Sequence, residues 1–216
     1  MKLKKIASLA LAGIMAVSML AGCKDGGSSS SSSSEPTTPP ETVTGAAAAI
    51  NAELDENKDQ ISFENNSVVE DLLTNYYTNN PITVTEASSA GTVVNSGTTM
   101  KIGSDPMDSV IAVLNADAIG GFHTSSGGVR FSQNTDKTTN VEIYVLNAER
   151  LTEAGALKLV GQYIDDLVLP EEGTAGAANK DYSYTGSVAA VEAHTDGDTA
   201  SAWVIAVTIT QTPSNK

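Results

Sequence analysis

Two alternating segments near the C-terminus, Tyr182 to Ala193 and Ser201 to Gln211, are joined around Asp196-Gly197. Asp-Gly between two alternating runs is a hairpin signal, because its backbone accommodates the turn that reverses the chain. In the second segment Trp203, Ile205, Val207 and Ile209 alternate with smaller or polar residues, the period of a half-buried strand. Whatever else the chain builds, it has to accommodate an antiparallel pair.

Helical signals surround that pair. Gly45 to Glu56 is alanine-rich and reads as a helix. Asn66 or Ser67 is placed to cap a second one through about Tyr77, with Val68, Val69, Leu72, Leu73 and Tyr76 at helical spacing and Asn79-Asn80-Pro81 as the stop. Ile82, Val84 and the segment from Thr92 to Ile102 are short strand candidates. Asp105-Pro106 is a helix start, with Asp as N-cap and Pro at the first helical position. Val110, Ile111, Val113 and Leu114 follow as one apolar face that ends at Gly120-Gly121. Val129 to Ser132 and Val141 to Leu146 read as a hairpin joined by Gln133 to Asn140. Thr152 caps a further helix with Leu157, Val160, Ile164 and Leu167 on one face and Pro170 beyond it, and Gly173 to Asn179 is a loop. Helices alternating with hairpins predict an α+β fold, a largely antiparallel sheet with several packed helices. The predicted domain is single and covers residues 44–216.

The first 43 residues have another character. Lys24 to Val43 holds Gly26-Gly27, serines from Ser28 to Ser34, then Glu35-Pro36-Thr37-Thr38-Pro39-Pro40. Without apolar residues it has nothing to bury, so it is predicted to be a disordered tether. Its root-mean-square span is roughly 25 Å and its contour limit about 65 Å. Upstream, Lys2, Lys4 and Lys5 precede an apolar run from Ile6 to Leu20, too short for the roughly 20 residues a membrane-spanning helix needs. It suits the apolar core of a secretory signal instead.

The run ends in Leu20-Ala21-Gly22-Cys23, and Cys23 is the only cysteine. This stretch resembles the lipobox of bacterial lipoproteins. The resemblance implies a signal peptide, residues 1–22, cut between Gly22 and Cys23, with a diacylglycerol thioether on the Cys23 sulfur. It also implies a chain held by acyl groups on the extracytoplasmic face of the cell membrane. The serine- and threonine-rich tether is similar to those of Gram-positive lipoproteins. With no second cysteine there is no intrachain disulfide, and the domain must rest on apolar burial.

Charge narrows the partners. Of 12 basic and 26 acidic residues, the signal takes three lysines and no acid, which leaves a formal charge of −17. That balance argues against nucleic acid as a partner, whose phosphates need basic patches. It also opposes adsorption to anionic lipid, so the acyl chains on Cys23 are the membrane contact. The 173 residues from Thr44 are too few for a two-lobed solute-binding protein.

Candidate chemistry is sparse. His123 and His194 are the two histidines, and neither stands in a metal-ligand spacing. His123 lies in Gly120-Gly121-Phe122-His123-Thr124-Ser125-Ser126-Gly127-Gly128, read as a connection rich in turn formers. A hydrolase would use this loop with Ser125 or Ser126 as nucleophile, yet the serines lack a G-x-S-x-G elbow. His194 is read as an exposed strand end. Asp55-Glu56-Asn57-Lys58-Asp59 offers oxygens at alternate positions as a calcium loop does. It then places Gln60 where glycine is needed and Asn66 where the bidentate glutamate belongs. Tyr182 and Tyr184 share one strand face, where exposed rings would stack on sugars and buried rings would pack the sheet. No cofactor signature is present. The sequence therefore predicts an anchored, non-catalytic binding or interaction domain contacting an envelope protein or glycan. The alternatives are a small hydrolase built on His123 and a carbohydrate-contacting module built on Tyr182 and Tyr184.

Overall fold

A computed structural model describes residues 41–42, 45–94, 104–116, 118–119, 131 and 133–216, all within one unit, Glu35–Lys216. In chain order the elements are β1 (Glu41–Thr42), α1 (Ala46–Asn51), β2 (Phe63–Asn65), α2 (Ser67–Asn79), α3 (Val84–Ser89) and α4 (Ser104–Leu114). They continue with β3 (Ala118–Ile119), β4 (Thr138–Asn147), α5 (Glu153–Asp165), β5 (Lys180–His194) and β6 (Ser201–Asn215).

The C-terminal hairpin is the spine. β5 and β6 pair antiparallel from Lys180↔Asn215 to His194↔Ser201, and β4 adds to the other side of β6 from Thr138↔Gln211 to Asn147↔Ala202. The sheet has six strands in the order β1-β5-β6-β4-β3, with β2 also on the outer edge of β5. The two short strands β2 and β3 run parallel to their neighbours and the rest are antiparallel. The fold is α+β, with a largely antiparallel sheet and helices on both faces.

Alternation assigns each strand residue to a face. On face A, Tyr144 and Leu146 of β4, Val188 and Ala190 of β5, and Ile205, Val207 and Ile209 of β6 pack with Ala46 and Ile50 of α1 and Leu157, Val160 and Ile164 of α5. On face B, Val141, Ile143 and Val145, Ala189, Val191 and Ala193, and Ala202, Val204 and Ala206 pack with Val69, Leu73 and Tyr77 of α2, Ala87 of α3 and Val110 of α4. From Val204 to Ile209, β6 is therefore buried on both faces, not half-buried. The alanines that look like neutral spacers in the sequence are what lets helices approach face B.

Local chemistry explains the helix ends. Asn66 caps α2 by accepting from the Val69 N–H, and Thr152 caps α5 by accepting from Gly155. α4 ends in a Schellman turn: Asn115 sits at φ 49°, with Ala116 N–H donating to Ile111 O and Asn115 N–H to Ala112 O. Val113, expected on its apolar face, is exposed. Two other expectations fail. Ile82 makes only an isolated bridge to Thr195 and Val84 opens α3, because Thr83 and Glu86 form a capping box. α1 stops at Asn51, whose amide accepts from Phe63 N–H and donates to Phe63 O, mimicking a strand neighbour. The helix predicted to reach Glu56 is thus diverted into β2.

The edges of the sheet are covered. Along β5 the open backbone groups are taken by Glu171 and Gly173, by Ser62 and Asn66 flanking β2, by β1, and by Ile82. Gly91 exchanges bonds with Val145 and Asn147 at the edge of β4. Such capping removes the template for edge-to-edge pairing. Of the first strand expected over Val129 to Ser132, only Phe131 is described, as a buried bend, and β4 takes β6 and β3 as its partners. Thr92 to Val94 is irregular, and the remainder of that strand candidate and Gly120-Gly121 lie outside the described residues.

One glycine is needed for close approach. A Cβ at Gly186 would stand 2.5 Å from Phe63 Cδ1, since the Phe63 ring of β2 lies over Gly186 of β5. Gly186→Ala is expected to destabilise the domain by about 2 kcal/mol through overpacking. In urea unfolding the loss should shrink when Phe63→Leu is added. An equal loss in both backgrounds would locate the strain elsewhere.

Candidate functional site

Tyr182 and Tyr184 are core side chains. Both are buried on face A, so neither offers a ring to a sugar. Tyr184 packs edge-on against Phe131, donates its hydroxyl to Pro170 O at 2.7 Å and accepts from Gln211 Nε2 at 2.9 Å. Burial pushes its pKa up to about 12, against a smaller downward pull from Gln211. Tyr182 donates to Asn134 O at 3.1 Å. The pair ties the loops beside β4 and after α5 to the sheet.

His194 is half-buried, not exposed, because it ends β5 beneath the turn. Its Nδ1 lies 2.7 Å from Asp198 Oδ1, close enough to pair when the ring is protonated but outside hydrogen-bond alignment. Gly197 and Asp198 take the positive φ values of that turn, and Thr195 Oγ1 accepts from Thr199 and Ala200 N–H inside it. Cys23, His123, Ser125 and Ser126 lie outside the described residues, as do the signal and the tether up to Pro40. No group of three metal-ligating side chains occurs among the described residues.

The Asp55 to Asp59 segment is built around an internal carboxylate. The N–H groups of Asp55, Glu56 and Asn57 all point at Asp165 Oδ1, at 3.0, 2.9 and 2.9 Å. Asn57, buried, returns the contact by donating to Ile164, Asp165 and Leu167 carbonyls at the end of α5. Backbone donors are what an anion wants, so this loop is a clamp for a helix end rather than a calcium site.

The surface that stands out is the rest of face B. The packed helices cover Val141–Val145, Ala189–Ala193 and Ala202–Ala206, and there the apolar positions stop. Toward the other end of the sheet the face-B positions are Ser183, Thr185 and Ser187 on β5, Thr208, Thr210 and Thr212 on β6, and Thr139 on β4. Register lines them up: Thr139, Thr210 and Thr185 form one row across the strands, Thr208 and Ser187 the next. Ser183 opposite Thr212 extends the ladder on the far side of the Thr185 row.

Hydroxyl pairs bind the rows together. Thr139 Oγ1 and Thr210 Oγ1 are 2.9 Å apart, Ser187 Oγ and Thr208 Oγ1 share another bond, and Asn66 Nδ2 donates to Ser187 Oγ at 3.1 Å. A hydroxyl has one donor and two acceptor positions, so a paired one keeps bonding capacity toward solvent. Thr185 and Thr212 are exposed, while Thr139, Ser187 and Thr210 are half-buried. Ser62 and Glu64 of the β2 segment rim a depression of about 380 Å³ over Thr185, Ser187, Thr208 and Thr210. Leu114 and Asn115 border a smaller one, about 170 Å³, with Lys137 and Thr139. Three strand spacings between these rims make a shelf about 14 Å wide. Its signal was in the sequence, as hydroxyls at alternate positions on both arms of one hairpin.

Among the described residues, face A holds one buried acid. Glu142 is fully buried, accepts from Tyr144 Oη at 2.7 Å through Oε2, and has no partner for Oε1 among the described residues. Burial raises its pKa to about 7, with the Tyr144 bond pulling the other way. Enclosed as it is, the carboxyl has no access to a substrate.

Compared with protein-family models, curated proteins and solved structures, the chain matches none.

Proposed function

We propose that the chain is a lipid-anchored lipoprotein of the bacterial cell envelope whose domain is an interaction module, and that the hydroxyl shelf on face B is its contact surface. The observation that carries the second half is the switch along one sheet face from helix-covered alanine and valine to open threonine and serine. Water alone would keep an open sheet face polar, but hydroxyls set in register across three strands also make a flat array of donors and acceptors suited to a contact. The first half rests on the lipobox around Cys23 and on the apolar run before it.

Two acyl chains at about 0.8 kcal/mol per buried CH₂ make a firm anchor. Cys23→Ser should abolish fatty-acid labelling and move the protein from membranes to the soluble fraction; continued labelling would sink the anchor. For the surface, envelopes stripped of lipid with detergent should retain the native chain. A Thr185→Arg, Thr210→Arg variant, folded by circular dichroism, should wash off. Equal retention of the two would place the contact elsewhere.

A further inference from the structure

We propose that the shelf binds a neutral glycan strand, an inference that rests on the shelf being the contact surface. Three features select that occupant. The first is chemistry: Thr185, Ser187 and Thr210 present uncharged donors and acceptors in a repeating array, with the Glu64 carboxylate at one rim. A polyhydroxylated chain repeats its own donors and acceptors in the same way, and a rim carboxylate accepts from its hydroxyls.

The second is charge. A mature chain of formal charge −17 repels an anionic polymer, and a single cation, Lys137 beside Thr139, borders the two depressions of the shelf. A protein strand has no opening either, since the neighbouring edge of β5 is already taken by β2 and β1. An apolar protein surface would find hydroxyls where it needs carbon.

The third is where the chain is attached. β1 pairs through Glu41↔Glu192 and Thr42↔Val191, so Glu41 is its residue nearer the hairpin turn. The segment leading to Cys23 therefore joins the domain toward that end. Thr185 lies seven residues away from Glu192 along β5, about 23 Å. The shelf therefore lies at the end of the sheet opposite the point where the chain enters it at Glu41.

The test is isothermal titration of the full chain in detergent with chitohexaose as the neutral glycan and alginate as an anionic one. Chitohexaose should bind with a Kd below about 1 mM, and alginate should not bind. Thr185→Val with Thr210→Val keeps side-chain shape and removes two hydroxyls, so it should weaken binding at least about tenfold in a variant whose circular dichroism shows the native fold. Glu64→Gln should weaken it less. Absence of binding by the folded native chain, equal binding by the double valine variant, or alginate binding as tight as chitohexaose would each overturn the proposal. Retention on stripped envelopes without chitohexaose binding would reject the glycan alone. Loss of both would reject the contact surface.

Discussion

Asn57→Ala should be among the most destabilising single substitutions in the domain, at about 4 kcal/mol. Its Nδ2 serves three carbonyls at the end of α5, from Ile164, Asp165 and Leu167, and the side chain is buried. Truncation leaves buried acceptors without donors, at about 1–3 kcal/mol apiece for those that water does not reach, and adds a small void. Asp165→Ala, which strands three N–H donors in a more exposed place, should cost about 2 kcal/mol. Because both residues close the same junction between the 55–59 segment and α5, the double variant should lose less than the sum, with a coupling of about 1 kcal/mol or more. Denaturant unfolding of the four proteins checks this. An Asn57→Ala loss under about 1 kcal/mol, or strict additivity, would show the junction to be held by something else.

That junction also shows where a sequence stops being readable. Asn57 and Asp165 are 108 residues apart, and no local pattern links them. The 55–59 carboxylates looked like cation ligands because side chains are visible in a sequence and backbone N–H groups are not. Local signals fared better: Asn66, Thr152 and the helix stops at Asn80 and Pro81 stand where capping chemistry puts them. The Thr83-x-x-Glu86 box was equally local, yet the β-branched Ile82 and Val84 pointed to a strand. Propensity lost to two reciprocal hydrogen bonds.

Strand faces divide in the same manner. Alternation in β6 locates Trp203, Ile205, Val207 and Ile209 on one side, as observed. It did not reveal that Ala202, Val204 and Ala206 are core on the other side, because small apolar residues carry little periodic contrast. The tyrosines followed from alternation too: Tyr182 and Tyr184 do share a face, and that face is the packed one. The shelf was legible only once the two arms were set in register, which makes Thr185 and Thr210 neighbours. Glu142 gave a quieter signal, a lone acid inside the run from Val141 to Leu146.

Glu142 should make the domain less stable as pH rises through the weakly acidic range. Its folded pKa stands at about 7 against an ordinary value of 4.5, because burial disfavours the ionised form more than the Tyr144 hydroxyl supports it. Below pH 4 both folded and unfolded chains hold the proton, and the group has no effect. Between about 4.5 and 7 the unfolded chain ionises first, so it binds fewer protons than the folded chain and stability falls with pH. Above about 7 both are ionised, and the full difference persists at about 3 kcal/mol. Glu142→Gln keeps an acceptor for Tyr144 Oη and removes the charge. The variant should match the native protein near pH 4, exceed it by about 3 kcal/mol at pH 8, and show no slope from this group between. Comparing the two proteins at each pH cancels the contributions of every group that both retain. Tyr144→Phe withdraws the one hydrogen bond to the ionised form, so it should move the midpoint of the native decline to higher pH. Native and Glu142→Gln curves that run parallel from pH 4 to 8 would mean that the carboxylate is accommodated in the core without cost, through contacts its enclosed position does not supply.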